Sequence, residues 1–155
     1  MRIGFGYDVH ALTEGRELWI GGIRIEHPYG LMGHSDADVL IHAICDALLG
    51  AANMRDIGCL FPDTSDEYKN IDSKILLLET MLLIRKAGYE LGNIDATIAA
   101  EQPKLNPHIP EMQRTLAEVM CVPANDISIK ATTTEKLGFT GRREGIAAYV
   151  VALIK

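Results

Sequence analysis

Arg2-Ile3-Gly4-Phe5-Gly6-Tyr7-Asp8-Val9-His10 opens the chain as a strand-like run that ends in two metal-type ligands. Strand side chains alternate between faces, so Asp8 and His10 point one way and Val9 the other. An Asp and a His two positions apart most often form only a hydrogen-bonded strand end. A third ligand would turn the pair into a site. His42 is the candidate, in the middle of a helix expected from Ala37 to Ala51.

Working outward, Ala11 to Arg16 reads as a polar loop, and Leu18-Trp19-Ile20 with Ile23-Arg24-Ile25 reads as a β-hairpin about Gly21-Gly22. Ser35 or Asp36 is placed to cap the helix that follows. Asp38, His42 and Asp46 are spaced four apart and form one polar stripe on an otherwise apolar helix. Met54 to Thr64 reads as a structured loop and Asp66 to Asn70 as a charged segment. Asp72 or Ser73 then caps a second helix that ends near Lys86, with Gly88 as the stop.

Tyr89 to Ala100 alternates Ile94, Ala96, Ile98 and Ala100 on one strand face, and Pro103 ends it. A third helix starts at Asn106 to Pro110 and runs through Met120 on a stripe of Met112, Leu116, Val119 and Met120. Ile127 to Ala131 is a short strand, Gly138 to Gly145 a glycine-rich loop, and Ile146 to Ile154 the last strand. That last strand is apolar on both faces. In a small α+β protein this calls for helices on both sides of the sheet or for a second chain. The helices are few, so a homo-oligomer is expected.

The 155 residues fit one domain with a real core, and a formal charge of −6 gives no global basic field for nucleic acid or an acidic membrane. Cys45, Cys59 and Cys121 are odd in number and form no C-x-x-C pair, which points to reduced thiols in the cytoplasm. No apolar run approaches the roughly 20 residues that span a bilayer. The start of the chain has neither a signal-peptide nor a transit-peptide pattern.

Asp8, His10 and His42 together make two imidazoles and one carboxylate, a ligand class of catalytic zinc sites that keep a position open. Asp46, one turn beyond His42, could orient an imidazole or could serve as a cap or salt bridge. Gly33-His34-Ser35 sits where a helix N-terminus offers N–H groups to phosphate, although a plain capping loop has the same composition. Lys130, Thr132, Thr133, Thr134, Glu135 and Arg142 combine hydroxyls, cations and a carboxylate, as a metal-bridged polyphosphate requires. Thr-Glu at a helix start also serves as an ordinary cap.

At these spacings the segments Gly6 to His10, Gly33 to Ala43, Asp56-Ile57-Gly58, Phe61-Pro62-Asp63-Thr64, Pro103-Lys104 and Lys130 to Gly145 resemble the 2-C-methyl-D-erythritol 2,4-cyclodiphosphate synthase family over nearly the whole chain. The resemblance implies a single ferredoxin-like α+β domain over residues 1–155. Its mixed sheet would have helices on one face, and the other face would pack in a homotrimer with active sites between subunits. It implies a cytidine diphosphate substrate cyclised with release of CMP.

By position, Asp8, His10 and His42 would hold Zn2+ (zinc), and Glu135 a second divalent ion, Mg2+ (magnesium) or Mn2+ (manganese). His34 and Thr133 would steady the transition state. Ser35, Asp56, Ile57, Gly58, Phe61, Pro62, Asp63, Thr64 and Ser65 would line the phosphate and methylerythritol part. Ala100, Glu101, Gln102, Pro103, Lys104, Leu105 and Asn106 would cradle cytosine, and Thr132, Thr134, Phe139 and Arg142 would complete the set. Ser65 stands where many members have a second Asp. Phosphoryl transfer asks for positioning and charge neutralisation, and the substrate brings its own nucleophile, so no activated Ser or Cys is needed. A metal-dependent phosphoesterase and a non-catalytic diphosphate-binding trimer are the rival readings.

Overall fold

The computed structural model describes residues 1–62 and 70–155, so the expectations that fall on Asp63, Thr64, Ser65 and Asp66 lie outside the described residues. The elements are β1 (Arg2–Glu14), β2 (Leu18–Ile20), β3 (Ile23–Ile25), β4 (Tyr29–Leu31), α1 (Val39–Ala51), α2 (Ile57–Leu60), α3 (Ser73–Lys86), β5 (Leu91–Ala99), α4 (Ile109–Met120), β6 (Ile127–Thr132), α5 (Gly138–Gly141) and β7 (Gly145–Ile154). Five strands form one sheet in the order β4-β1-β7-β5-β6, and β2 with β3 forms the expected hairpin. Pairing is antiparallel except between β5 and β6, which α4 connects as a crossover.

The α+β class holds, but the ferredoxin-like expectation does not. A ferredoxin-like subunit runs β-α-β-β-α-β. Here the core runs β1, α1 and α3, β5, α4, β6, β7. The first unit is a split one, with β7 between β1 and β5. The second returns to the adjacent strand and is therefore parallel.

β1 is 13 residues long, so Ala11 to Glu14 is strand where a polar loop was expected. Its far end stays extended because Leu12 to Glu14 pair with Tyr29 to Leu31 of β4. The Gly138 to Gly145 loop likewise contains the single turn of α5.

The sheet has one covered and one open face. Gly4 and Gly6 of β1 lie against α1 so closely that a Cβ on them would sit 1.8 Å from the Ala47 carbonyl oxygen and 1.9 Å from that of Ala43. α1 is buried on nearly every side, and His42 and Asp46 are its only polar residues not fully enclosed. The covered faces of β5, β6 and β7 contribute Ile94, Ala96, Ile98, Ile127, Ile129, Ile146, Ala148 and Val150 to the same core. On the opposite face Ile3 is 72% and Phe5 63% exposed, with Tyr7, Val9, Tyr149 and Val151 beside them.

α1 is capped by Asp38, three residues later than Ser35 and two later than Asp36 would place it, because Ala37 turns the chain with φ 58°. The Asp38 carboxylate is fully buried and accepts the N–H groups of Ile41 at 3.0 Å, Gly21 at 2.9 Å and Gly22 at 2.7 Å. One side chain therefore caps the helix and pins the hairpin turn, and burial raises its pKa. Asp38 is thus a buried structural cap at the head of the polar stripe that His42 and Asp46 continue.

Candidate metal centre and substrate clefts

β1 and α1 bring Asp8, His10 and His42 together. Asp8 Oδ2 lies 2.9 Å from His10 Nε2 and 3.1 Å from His42 Nδ1, and the two ring nitrogens are 3.1 Å apart. Tetrahedral ligands at about 2.0 Å from an ion stand about 3.3 Å from one another, so the triangle fits one divalent metal. Burial pushes the Asp8 carboxyl up, but its hydrogen bonds to both imidazoles prevail and bring it to about 2. In the same way burial lowers His10, and the Asp8 carboxylate overcomes it, so the net shift is upward.

The opposite ring nitrogens fix the tautomers. His10 Nδ1 is 2.7 Å from the Met32 carbonyl, which only accepts, so that nitrogen carries the proton and Nε2 offers its lone pair to the triad. His42 Nε2 is 3.0 Å from Ser73 Oγ and 3.2 Å from Ser35 Oγ. Ser73 donates its own hydroxyl proton to Asp36 Oδ1, whose partner oxygen accepts the Ser73 N–H at 2.9 Å. Ser73 therefore accepts from His42 Nε2–H and leaves Nδ1 facing Asp8.

Sequence reasoning missed Ser73 and Met32 as supports, since each is remote in sequence from the imidazole it holds, and Asp36, which acts only through Ser73. Asp46, weighed for that task, accepts the N–H of Ile57 at 2.8 Å and fixes the start of α2.

Around the triad is a cleft of about 370 Å³ lined by His10, His34, Ser35, His42, Ile57, Gly58 and Phe61 among others. His34 and Gly58 are thus beside the triad. The Ser35 hydroxyl does not face open solvent: Ser35 is buried, contacts His42 and accepts the Ala37 N–H at 3.1 Å. After Gly33-His34-Ser35, the Ser35, Asp36 and Asp38 side chains accept the N–H groups of Ala37, Asp38 and Ile41 respectively. Arg16 clamps the segment by donating to the Gly33 carbonyl at 2.9 Å and the Ser35 carbonyl at 2.7 Å. Asp56 caps α2 through the Cys59 N–H at 3.0 Å, and Pro62 follows Phe61 without lining the cleft.

A second cleft, about 390 Å³, is lined by Ala100, Glu101, Pro103, Lys104, Leu105, Asn106, Thr132 and Thr133, with Pro107 and Ala131. Gln102 and Thr134 flank it without lining it. Glu135 is exposed, and its carboxylate accepts the Thr133 hydroxyl at 3.1 Å. Lys130, grouped with these residues by sequence, is instead paired with Asp95. Arg142 pairs with Glu144 at 2.8 Å, and Phe139 is partly exposed.

The strand registers set the two clefts apart. Val9, Ala147, Ala99 and Thr132 lie in one row across the sheet. Triad and threonine loop thus share one end of the sheet, but three interstrand steps, about 14 Å, separate them.

An α+β sheet of this order, with two imidazoles and a carboxylate at one end, defines a metal-site protein of a recognisable kind: the chain belongs to the YgbB family, whose family model matches residues 1–155. A relative from Parabacteroides distasonis, named 2-C-methyl-D-erythritol 2,4-cyclodiphosphate synthase, is 78% identical over 155 residues, covering 100% of this chain and 96% of its own. A solved synthase of that name in a CDP-bound form shares 36% identity with a TM-score of 0.91, covering 99% of this chain and 100% of that one. The bifunctional IspDF from Campylobacter jejuni matches at 44% identity and TM-score 0.96 over 99% of this chain, which spans 42% of that longer protein.

Proposed function

We propose that the chain, as a single cyclodiphosphate synthase domain over residues 1–155, converts 4-diphosphocytidyl-2-C-methyl-D-erythritol 2-phosphate to 2-C-methyl-D-erythritol 2,4-cyclodiphosphate. An oxygen of the 2-phosphate bonds to the β-phosphorus, the bond from that phosphorus to the oxygen bridging to the α-phosphorus breaks, and CMP leaves with the oxygen. No water enters. The observation that carries this reading is the Asp8–His10–His42 triangle in a cleft, within a chain whose relatives bear the synthase name.

The donor set of the triad suits zinc, and the lone carboxylate of Glu135 suits magnesium or manganese. When bound, these ions supply positive charge to the diphosphate oxygens. The protein's own part is positioning. His34 and Thr133 donate to the oxygens on which charge develops. Asp56, Ile57, Gly58 and Phe61 hold the methylerythritol portion beside the triad, with Pro62, Asp63, Thr64 and Ser65 continuing that wall. The second cleft, from Ala100 to Asn106, holds cytosine, and the solved relative with CDP supports a ligand of that class. Thr132, Thr134, Phe139 and Arg142 complete the binding surface.

One diphosphate cannot bridge about 14 Å between the two clefts of a single chain. In a homotrimer whose sheets face the threefold axis, the triad of one subunit meets the threonine loop of its neighbour. The same assembly covers Ile3, Phe5, Tyr7, Val9, Tyr149 and Val151, an apolar patch that a lone chain leaves in water. No helix among the described residues is long and apolar enough to cross a membrane, and the proposed setting is the cytoplasm.

The test is to supply the purified, metal-loaded chain with the cytidylylated substrate and identify the products. CMP with the cyclic diphosphate is expected. A linear, hydrolysed product would favour a phosphoesterase, and absence of CMP would overturn the reading.

A further inference from the structure

Glu101 lies just beyond β5, and its residue forms part of the wall of the second cleft. Its carboxylate is turned to the loop after β6. One oxygen, Oε1, accepts the Thr134 N–H at 3.0 Å and the Lys136 N–H at 3.1 Å, with the Thr134 hydroxyl at 3.4 Å. The residue between those two amides is Glu135, at φ 52°, followed by Lys136 at φ 66°. Side chains rarely tolerate this left-handed backbone, so the loop needs an outside partner to hold it. Two amides flanking a left-handed residue converge on one point and form a nest for an anion, and the Glu101 carboxylate fills it. These donors, the Lys136 N–H foremost, hold the Glu101 carboxyl below its ordinary range. The Thr133 hydroxyl, 3.1 Å from the Glu135 carboxylate, is carried on the same loop.

We propose that Glu101 is a positioning residue that couples the nucleoside cleft to the cation-holding loop, through its bonds to the amides on either side of Glu135. Shifts of the cleft wall pass to the Glu135 carboxylate, and an ion held there stiffens the wall against the nucleoside. Glu101 acts through Glu135 and touches neither ligand with its carboxylate. By linkage, a nucleoside diphosphate and a divalent ion strengthen each other's binding, and the effect is reciprocal. This rests on the functional reading above.

The experiment uses the full-length, zinc-loaded protein, with CDP and Mn2+ as probes. CDP affinity is measured by calorimetry with and without saturating Mn2+, and Mn2+ affinity by electron paramagnetic resonance with and without CDP. In the unaltered protein each probe tightens the other. E101A is expected to reduce that mutual enhancement about tenfold. E101Q, which keeps an acceptor oxygen without the charge, stays within about threefold of the parent. E101D, too short to reach both amides, shows the same loss as E101A and replaces it if that variant does not fold, as judged by thermal unfolding.

A folded E101A or E101D with undiminished coupling overturns the proposal. So does an E101Q that loses as much as E101A, since that result marks a charge acting on the ion directly. If the unaltered protein binds no CDP, the functional reading itself fails, and the proposal with it.

Discussion

The Ser73 hydroxyl lies 3.0 Å from Nε2 of His42 and gives its own proton to Asp36, so one serine at the head of α3 decides which imidazole nitrogen faces Asp8. We predict that Ser73→Ala weakens metal binding at the triad by about tenfold or more while the fold persists. Competition with a chromogenic chelator and the visible spectrum of a cobalt-substituted sample would measure it. Unchanged affinity would show that Ser35 alone suffices.

His42→Ala removes one corner of the triad, and Glu135→Ala removes the carboxylate of the other half-site. Each variant alone is predicted to lose activity by at least about a hundredfold. Mixed after dissociation and reassembly, the two inactive chains should regain part of it, because some sites then draw an intact triad from one chain and an intact loop from the other. Activity that fails to return in the mixture would place the whole site within one subunit.

Phe5 is 63% exposed at the middle of the open apolar face. In the proposed homotrimer a charge there would be buried without a partner, at a cost of several kcal/mol. The parent is predicted to sediment as a trimer, and Phe5→Glu as a monomer at the same concentration. A trimeric variant would rule out that face as the contact.

Lys130 holds the Asp95 carboxyl below its ordinary range. A carboxyl lowered on folding stabilises the native state above its unfolded value, near about pH 4, and this contribution is lost as pH falls through the lower folded value. Both side chains are about half exposed in the single chain, so screening keeps the effect below about 1 kcal/mol. Urea unfolding of Asp95→Asn against the parent should show a small deficit at pH 6 that shrinks towards pH 3. A deficit independent of pH would remove the ion pair as its cause.

The triad was legible because each partner sits in a strongly periodic element: alternation put Asp8 and His10 on one side of β1, and the apolar pattern of α1 made His42 conspicuous. The open face was legible from β7 for the same reason. The extra length of β1 was not, since Ala11 pairs with Gly145 of β7 and Leu12 to Glu14 stay extended by pairing with Tyr29 to Leu31 of β4, both remote in sequence. The cap at Asp38 depends on the left-handed turn at Ala37, which composition does not announce. The sheet order separated this fold from the ferredoxin-like one, and order is a property of long-range pairing. Ser73, Met32 and Glu101 act through hydrogen bonds to distant segments, and no local signal marks them.

Gly4 and Gly6 do more than let α1 rest on β1. The strand carries Asp8 and His10, the helix carries His42, and the missing side chains make the gap between those two backbones as narrow as atoms allow. The coordination sphere is thereby gauged by main-chain contact rather than by the reach of flexible side chains. A designer wishing to admit a larger ion would gain little by loosening neighbours, because the spacer is already zero. The ligand atoms themselves would have to be exchanged, and the helix would keep its seat.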